Sequence, residues 1–294
     1  MAELPLLSPV VAGLWRLDSW ALEPAERARW IRRAVELGLS TLDLAEIYGG
    51  YSCHARVGEA LRADPGLRDA VRLVTKFGIE VPKDTRPGVR VHHYDTSAAR
   101  LAASVEAALR ELGTDHLDLL LVHRWDPLLD AAELAEACAR EQAAGRVLHF
   151  GVSNFAPSTM RLMDGALPGG LATNQVELHP LHLEPFEDGT TDLAQELDLP
   201  LMAWSPLAGG RLFQDGGERA IRVRTALAEV AQRHGAEIDQ VAFAFLLRHP
   251  ARIHPITGTG NLERLARQAA AVDITLDRED WFTIWTASKG APLP

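Results

Sequence analysis

Short apolar runs rich in Val, Ile and Leu alternate along the chain with longer segments of helical period. Eight such runs can be placed, and none is followed by a glycine-rich GxGxxG or GxxxxGK[ST] loop. Together these features predict an α/β protein of the (β/α)8 TIM-barrel class. It would have a parallel eight-stranded closed sheet, a single domain over residues 1–294 and an extra C-terminal helix. An open doubly wound sheet would instead carry the glycine fingerprint after its first strand. In chain order, the strand runs are 11–17, 39–44, 71–76, 117–122, 147–152, 172–176, 200–204 and 252–256. Helical stretches lie between them at 25–37, 97–112, 131–144 and 220–234. The segment 97–112 sets Leu101, Val105, Ala108, Leu109 and Leu112 on one stripe and charged residues on the other face, the pattern of a helix packed on a sheet. Trp281 and Trp285, four apart, mark one packed face of the closing C-terminal helix.

Composition narrows the function. The chain has 294 residues, with 30 Lys+Arg against 40 Asp+Glu and a net charge of −10. A chain of this length buries about 75% of its unfolded surface, so its core needs neither disulfides nor structural metal. The acidic balance, without clustered basic residues, excludes nucleic acid as an expected partner. No apolar stretch reaches the roughly 18 residues of a membrane span, so a soluble, cytoplasmic protein with no membrane partner is expected, acting as a monomer. Cys53 and Cys138 form no CxxC, which suits a reducing compartment. Cys53 reads as the start of a packed helix rather than a redox switch. His179 and His182 form an HxxH without a third ligand in context, so no metal site is expected.

In a barrel of this class, chemistry sits at the C-terminal ends of the strands. Those ends carry Asp43 with Tyr48, Lys76, His123, Ser153 with Asn154, Gln175, and Trp204 with Ser205. The chain has only three lysines, Lys76, Lys83 and Lys289, so Lys76 stands out. A tyrosine near a buried lysine is expected to titrate below its reference value of about 10, because the ammonium favours the phenolate. Asp43 would keep Lys76 charged, and His123 would donate a hydrogen bond to a carbonyl oxygen. These are the parts needed to protonate a developing alkoxide. A barrel hydrolase using Asp43 and Glu177 as paired carboxylates is an alternative, but it gives Lys76 no role. Trp15, Tyr51 and Trp125 are candidate substrate contacts that would form an aromatic wall. The long connection 79–96, with His92 and His93, is expected to help wall the same site.

Six segments, in this order, resemble the aldo/keto reductase family: DLAEIYG at 43–49, LVTK at 73–76, LDLLLVH at 117–123, GVSNF at 151–155, NQVE at 174–177 and WSPLAG at 204–209. The resemblance runs through nearly the whole chain. It is nearest to a bacterial subgroup with GGY at 49–51, HRWDP at 123–127 and a Trp-Ser strand end at 204–205.

The resemblance implies reversible reduction of a small-molecule aldehyde or ketone by a nicotinamide cofactor lying across the barrel mouth. Tyr48 would be the general acid, tuned by Lys76 and Asp43, with His123 orienting the carbonyl. Ser153, Asn154 and Gln175 would hold the nicotinamide carboxamide, and Trp204 would stack on its ring, where the wider family more often has tyrosine or phenylalanine. Ser205, Leu207 and Gly209 would line the pyrophosphate, and Arg211 would reach a phosphate. The segment ITGTGNLER at 256–264 would bind the adenosine end through Thr257, Gly258, Thr259 and Arg264, with Gln268 at the adenine. Much of the family has Lys-Ser where this chain has Gly258 and Thr259, yet Arg264 keeps the spacing of the arginine that grips the 2′-phosphate, so NADPH is expected over NADH. Some relatives on this frame act as cofactor-binding partners of membrane channels. A complete set of Asp43, Tyr48, Lys76 and His123 favours the enzyme instead.

Overall fold

The computed structural model describes residues 6–83, 86–214 and 217–294. The first barrel strands are β1 (Val11–Gly13), β2 (Thr41–Asp43) and β3 (Arg72–Phe77). Two short strands, β4 (Ile79–Glu80) and β5 (His93–Tyr94), then form a separate antiparallel pair. The remaining strands, β6 (Leu117–Val122), β7 (Val147–Ser153), β8 (Asn174–Glu177), β9 (Leu201–Trp204) and β10 (Ile253–Thr257), complete the barrel. It closes in the order β1-β10-β9-β8-β7-β6-β3-β2, all pairs parallel. The expected eight-stranded (β/α)8 barrel is therefore the fold.

The helices are α1 (Pro24–Glu36), α2 (Cys53–Ala63), α3 (Ala98–Leu112), α4 (Ala131–Ala143), α5 (Pro157–Ala166), α6 (Thr190–Glu196), α7 (Gly217–His234), α8 (Ile238–Leu247), α9 (Leu262–Ala269) and α10 (Arg278–Lys289). Their starts follow local chemistry. Ser97, Asp130, Asn261 and Asp277 each cap a helix by accepting from a backbone N–H that has no partner inside it. Helix α10 stacks Trp281 on Trp285 (5.1 Å) and on Phe245 of α8 (4.8 Å), as the tryptophan spacing predicts. Gly58 lets α2 approach α3, since a Cβ there would lie 2.1 Å from the Glu111 carbonyl oxygen.

Alternation along the strands separates two cores. In β6, Leu119 and Leu121 point into the barrel, where they meet Val11, Val74, Met202 and Ile256, while Leu120 and Val122 join the larger core under the helices. The same alternation carries Val74 and then Lys76 to the inside of β3, with Lys76 one step nearer the mouth. Leu7 and Ser8 close the opposite end: Ser8 N–H donates to Thr41 Oγ1 (2.8 Å), and His254 Nδ1 meets the Ser8 carbonyl (2.9 Å). The run at 11–17 is shorter as a strand than expected. Leu14 N–H still bonds to Asp43 O (2.9 Å), but Leu17 N–H turns back to Leu14 O (3.0 Å) and the chain leaves the rim in a 3-10 turn. Among the described residues, no helix is long and apolar enough to cross a membrane.

Candidate active site

Asp43 ends β2, Tyr48 opens a single 3-10 turn just beyond it, Lys76 lies near the end of β3 and His123 follows β6. The strand ends bring all four together. Lys76 is 1% exposed, and its Nζ donates to Asp43 Oδ1 (2.7 Å), the Leu44 carbonyl (2.8 Å) and the Tyr48 hydroxyl (3.0 Å). An ammonium has three hydrogens, so its donor capacity is fully used. Because the Tyr48 oxygen accepts from Lys76, its own hydrogen is free to point elsewhere. The Tyr48 and His123 rings meet edge-on at 6.0 Å.

The charge states follow from burial and neighbours. Burial disfavours the Lys76 ammonium, but Asp43 and Tyr48 overcome that and hold its pKa above the usual lysine value. Tyr48 departs from expectation. Burial raises its pKa above 10, and the opposing pull of Lys76 does not reverse it. The phenol is thus protonated at neutral pH, and the ammonium acts by stabilising phenolate as it forms. His123 is pushed well below the usual imidazole value by burial, with Lys76 and Arg124 adding to the shift. It is therefore neutral at pH 7, with Nδ1 buried and unpartnered.

Asp43, Tyr48 and His123 line a cavity of about 910 Å³ at the C-terminal end of the barrel, within the range of small-molecule sites, and Lys76 lies buried behind them. One side is lined by Ser153, Asn154, Gln175, Trp204, Ser205, Leu207, Gly209, Thr257, Gly258, Thr259, Arg264 and Gln268. Asn154 and Ser205, just past β7 and β9, adopt left-handed backbone conformations (φ 58° and 54°) that cost energy outside glycine and gather at ligand-binding sites. Trp204 Nε1–H donates to Asn154 Oδ1 (2.9 Å), which fixes the indole face; phenylalanine here has no such donor. Gln175 Nε2 donates to Asp43 Oδ1 (2.7 Å), joining the two sides of the site. Thr257 donates to Gln268, whose amide donates in turn to Asp239 Oδ2 (3.1 Å), and Arg267 clamps Asp239 (2.8 Å).

Several expected contacts are not brought to this cavity. Tyr51 accepts from Val81 N–H (3.2 Å) and lies under the Arg86 guanidinium (4.5 Å), so it fastens the β4–β5 pair. Trp125 packs edge-on against Phe155 (5.5 Å). Neither lines the cavity, which leaves Trp15, 60% exposed, from the expected aromatic wall. Arg211 turns to Ala208 O (3.0 Å) and Glu177 (3.6 Å) and does not line the cavity. Of the segment 79–96, only Ile79 does, and residues 84 and 85 lie outside those described. Asp43 is neutralised by Lys76, while Glu177 is engaged by His179 (3.1 Å) and Arg211, which is not the free carboxylate pair a hydrolase would need. Cys53 starts α2 as a buried thiol, pushed up to about 12 by burial, and Asp239 and Arg267 at the cavity carry no sequence motif that marks them.

Two buried histidines give the fold a pH limit. His54 touches Thr75 Oγ1 (2.7 Å) behind Lys76, His179 follows β8, and burial lowers both to about 4. The unfolded chain takes up these protons near the ordinary imidazole value of about 6.5. As pH falls below that value the unfolded state is favoured, until the native rings also titrate near 4. Each histidine is therefore expected to remove about 3 kcal/mol of stability between pH 6.5 and 4. The raised pKa of buried Glu46 offsets part of this, since the folded state takes its proton first. Denaturant melts at pH 7, 5.5 and 4 test the expectation, and a His54→Gln protein should show a shallower fall. Equal midpoints at all three values would refute it.

Comparison with known proteins follows the same lines. The model of the aldo/keto reductase family matches residues 9–288. The chain is 45% identical to the oxidoreductase YcsN of Bacillus subtilis (strain 168), covering 100% of this chain and 98% of that protein. It is 44% identical to the 6-dehydroglucose reductase of Agrobacterium fabrum (strain C58 / ATCC 33970), covering 97% and 95%. Among solved structures, the aldo-keto reductase from Klebsiella pneumoniae in complex with NADPH superposes with a TM-score of 0.78 at 27% identity, covering 97% of this chain and 92% of that one.

Proposed function

Because the chain belongs to the aldo/keto reductase family, we propose that it reduces an aldehyde or ketone to the alcohol with NADPH, and that Tyr48 delivers the proton. The observation that carries this reading is the buried relay of Asp43, Lys76 and Tyr48, closed by bonds of 2.7 and 3.0 Å at the floor of the cavity. The free Arg264 side chain, the ring face of Trp204 and the Gln175 side-chain amide suit the charged, aromatic and carboxamide parts of a dinucleotide. The relative that reduces 6-dehydroglucose and the NADPH-bound neighbour support the same assignment.

When bound, the dihydronicotinamide supplies hydride to the carbonyl carbon. His123, neutral and opening to the cavity, donates a hydrogen bond to the carbonyl oxygen and holds it beside the Tyr48 hydroxyl. Tyr48 transfers its proton to that oxygen as negative charge develops there. The resulting phenolate accepts from the Lys76 ammonium, which Asp43 keeps charged, and regains a proton from solvent after the alcohol leaves. Burial excludes water from this step and strengthens each of these interactions.

NADPH is expected to be preferred over NADH in kcat/KM, and Arg264→Gln is expected to reduce that preference by about 10- to 100-fold, the worth of a charged hydrogen-bonded phosphate contact. Parallel assays with both cofactors measure it. Equal use of the two by the unaltered protein would overturn the cofactor assignment.

A further inference from the structure

We propose that the carbonyl substrate carries a carboxylate away from the reacting carbon and that Arg124 binds it, an inference that rests on the carbonyl-reducing reading above. Arg124 follows His123 directly and lines the cavity. It is half-buried, yet it has neither a hydrogen bond nor an ion pair. Every other half-buried arginine among the described residues has a partner. Arg32 holds Asp64, Arg68 and Arg72 hold Asp118, Arg86 holds Glu80, Arg100 holds Glu46, Arg56 holds Asp18, Arg267 holds Asp239, and Arg224 bonds to backbone carbonyls. A partly desolvated guanidinium without acceptors is costly, and such a group at a ligand site is satisfied by the ligand.

Position decides which ligand. The loops expected to hold the cofactor phosphates follow β9 and β10, whereas Arg124 follows β6, separated from β9 by β7 and β8. It stands beside the imidazole that meets the carbonyl oxygen, on the side of the cavity that also holds Ile47 and Ile79. The one acid lining this side, Asp43, is neutralised by Lys76. Arg16 and Arg264 also line the cavity without an ion pair, but both are exposed and can be hydrated. In a chain of net charge −10, an anion reaches this site only if the cavity supplies local positive potential, and the fork of Arg124 matches the two oxygens of a carboxylate.

The test compares an aldehyde acid with the matching aldehyde amide, such as carboxybenzaldehyde and formylbenzamide of the same ring position, under saturating NADPH. The acid is expected to have the higher kcat/KM by about 10-fold or more, mainly through KM, and Arg124→Gln is expected to bring the ratio close to one. Arg124→Lys should keep part of the preference, as a point charge without the planar fork. Taking the ratio of the two substrates cancels any change the substitutions make at His123. A ratio of one or below in the unaltered protein, or a ratio that Arg124→Gln leaves in place, would overturn the proposal. If neither substrate is reduced, the functional reading fails. Calorimetric titration of the protein with benzoate, with and without NADP+, then decides the role of Arg124. Binding that Arg124→Gln abolishes supports it, and no binding to the unaltered protein refutes it.

Discussion

Tyr48→Phe is expected to lower kcat/KM for carbonyl reduction by about 10³-fold or more, within the combined worth of a general acid and an oxyanion donor. The change removes one oxygen and leaves the ring, so the backbone turn and the packing beside His123 stay in place. On the mechanism proposed above, what is lost is the phenol hydrogen given to the carbonyl oxygen, together with the acceptor for one Lys76 hydrogen. NADPH should still bind, which can be followed by quenching of indole emission at Trp204. Retained turnover would remove Tyr48 from the mechanism. Since burial raises the phenol above its usual 10, activity of the unaltered protein should persist into alkaline pH and fail only beyond that value.

Lys76→Met is expected to act on both rate and stability. The side chain stays unbranched and is one atom shorter but loses its charge, and Asp43 becomes a buried carboxylate with the Gln175 amide as its remaining side-chain partner. Breaking a buried ion pair on one side costs about 3–5 kcal/mol. The phenolate formed on proton transfer would also lack its cation, lowering kcat by about 10²-fold or more. Adding Asp43→Asn removes the stranded charge, so the double variant should recover most of the unfolding midpoint and none of the rate. If the double variant unfolds as early as Lys76→Met, the stability argument is wrong; if it regains turnover, the catalytic one is.

The barrel could be read from sequence because each strand is a compact apolar run and each strand end carries its chemistry at a fixed place. Asp43, Tyr48, Lys76 and His123 converge because three strands, β2, β3 and β6, deliver them to one rim. Sequence does not carry burial depth, and that is why Tyr48 was expected to be acidified by Lys76 when desolvation prevails. Nor does it give direction: Tyr51 and Trp125 sit beside motif residues, but one braces a hairpin and the other packs on Phe155. The contact between Gln175 and Asp43 joins residues 132 apart, and only closure of the sheet creates it. Arg267 and Asp239 were silent for the same reason, since their pairing depends on how α8 meets α9.

The inward bond of Gln175 also sets the polarity of what can lie above it. Its side-chain nitrogen donates to Asp43 Oδ1 and to Met202 Sδ (3.8 Å), the Ser153 hydroxyl donates to the Gln175 backbone carbonyl, and Asn154 Oδ1 already accepts from Trp204. On the reading proposed here, the Gln175 side-chain oxygen can only accept, so the pyridine substituent must arrive with N–H bonds to give. A deamidated dinucleotide, bearing an acid in place of the amide, would set oxygen against oxygen, and the pocket would discriminate against it without any steric clash.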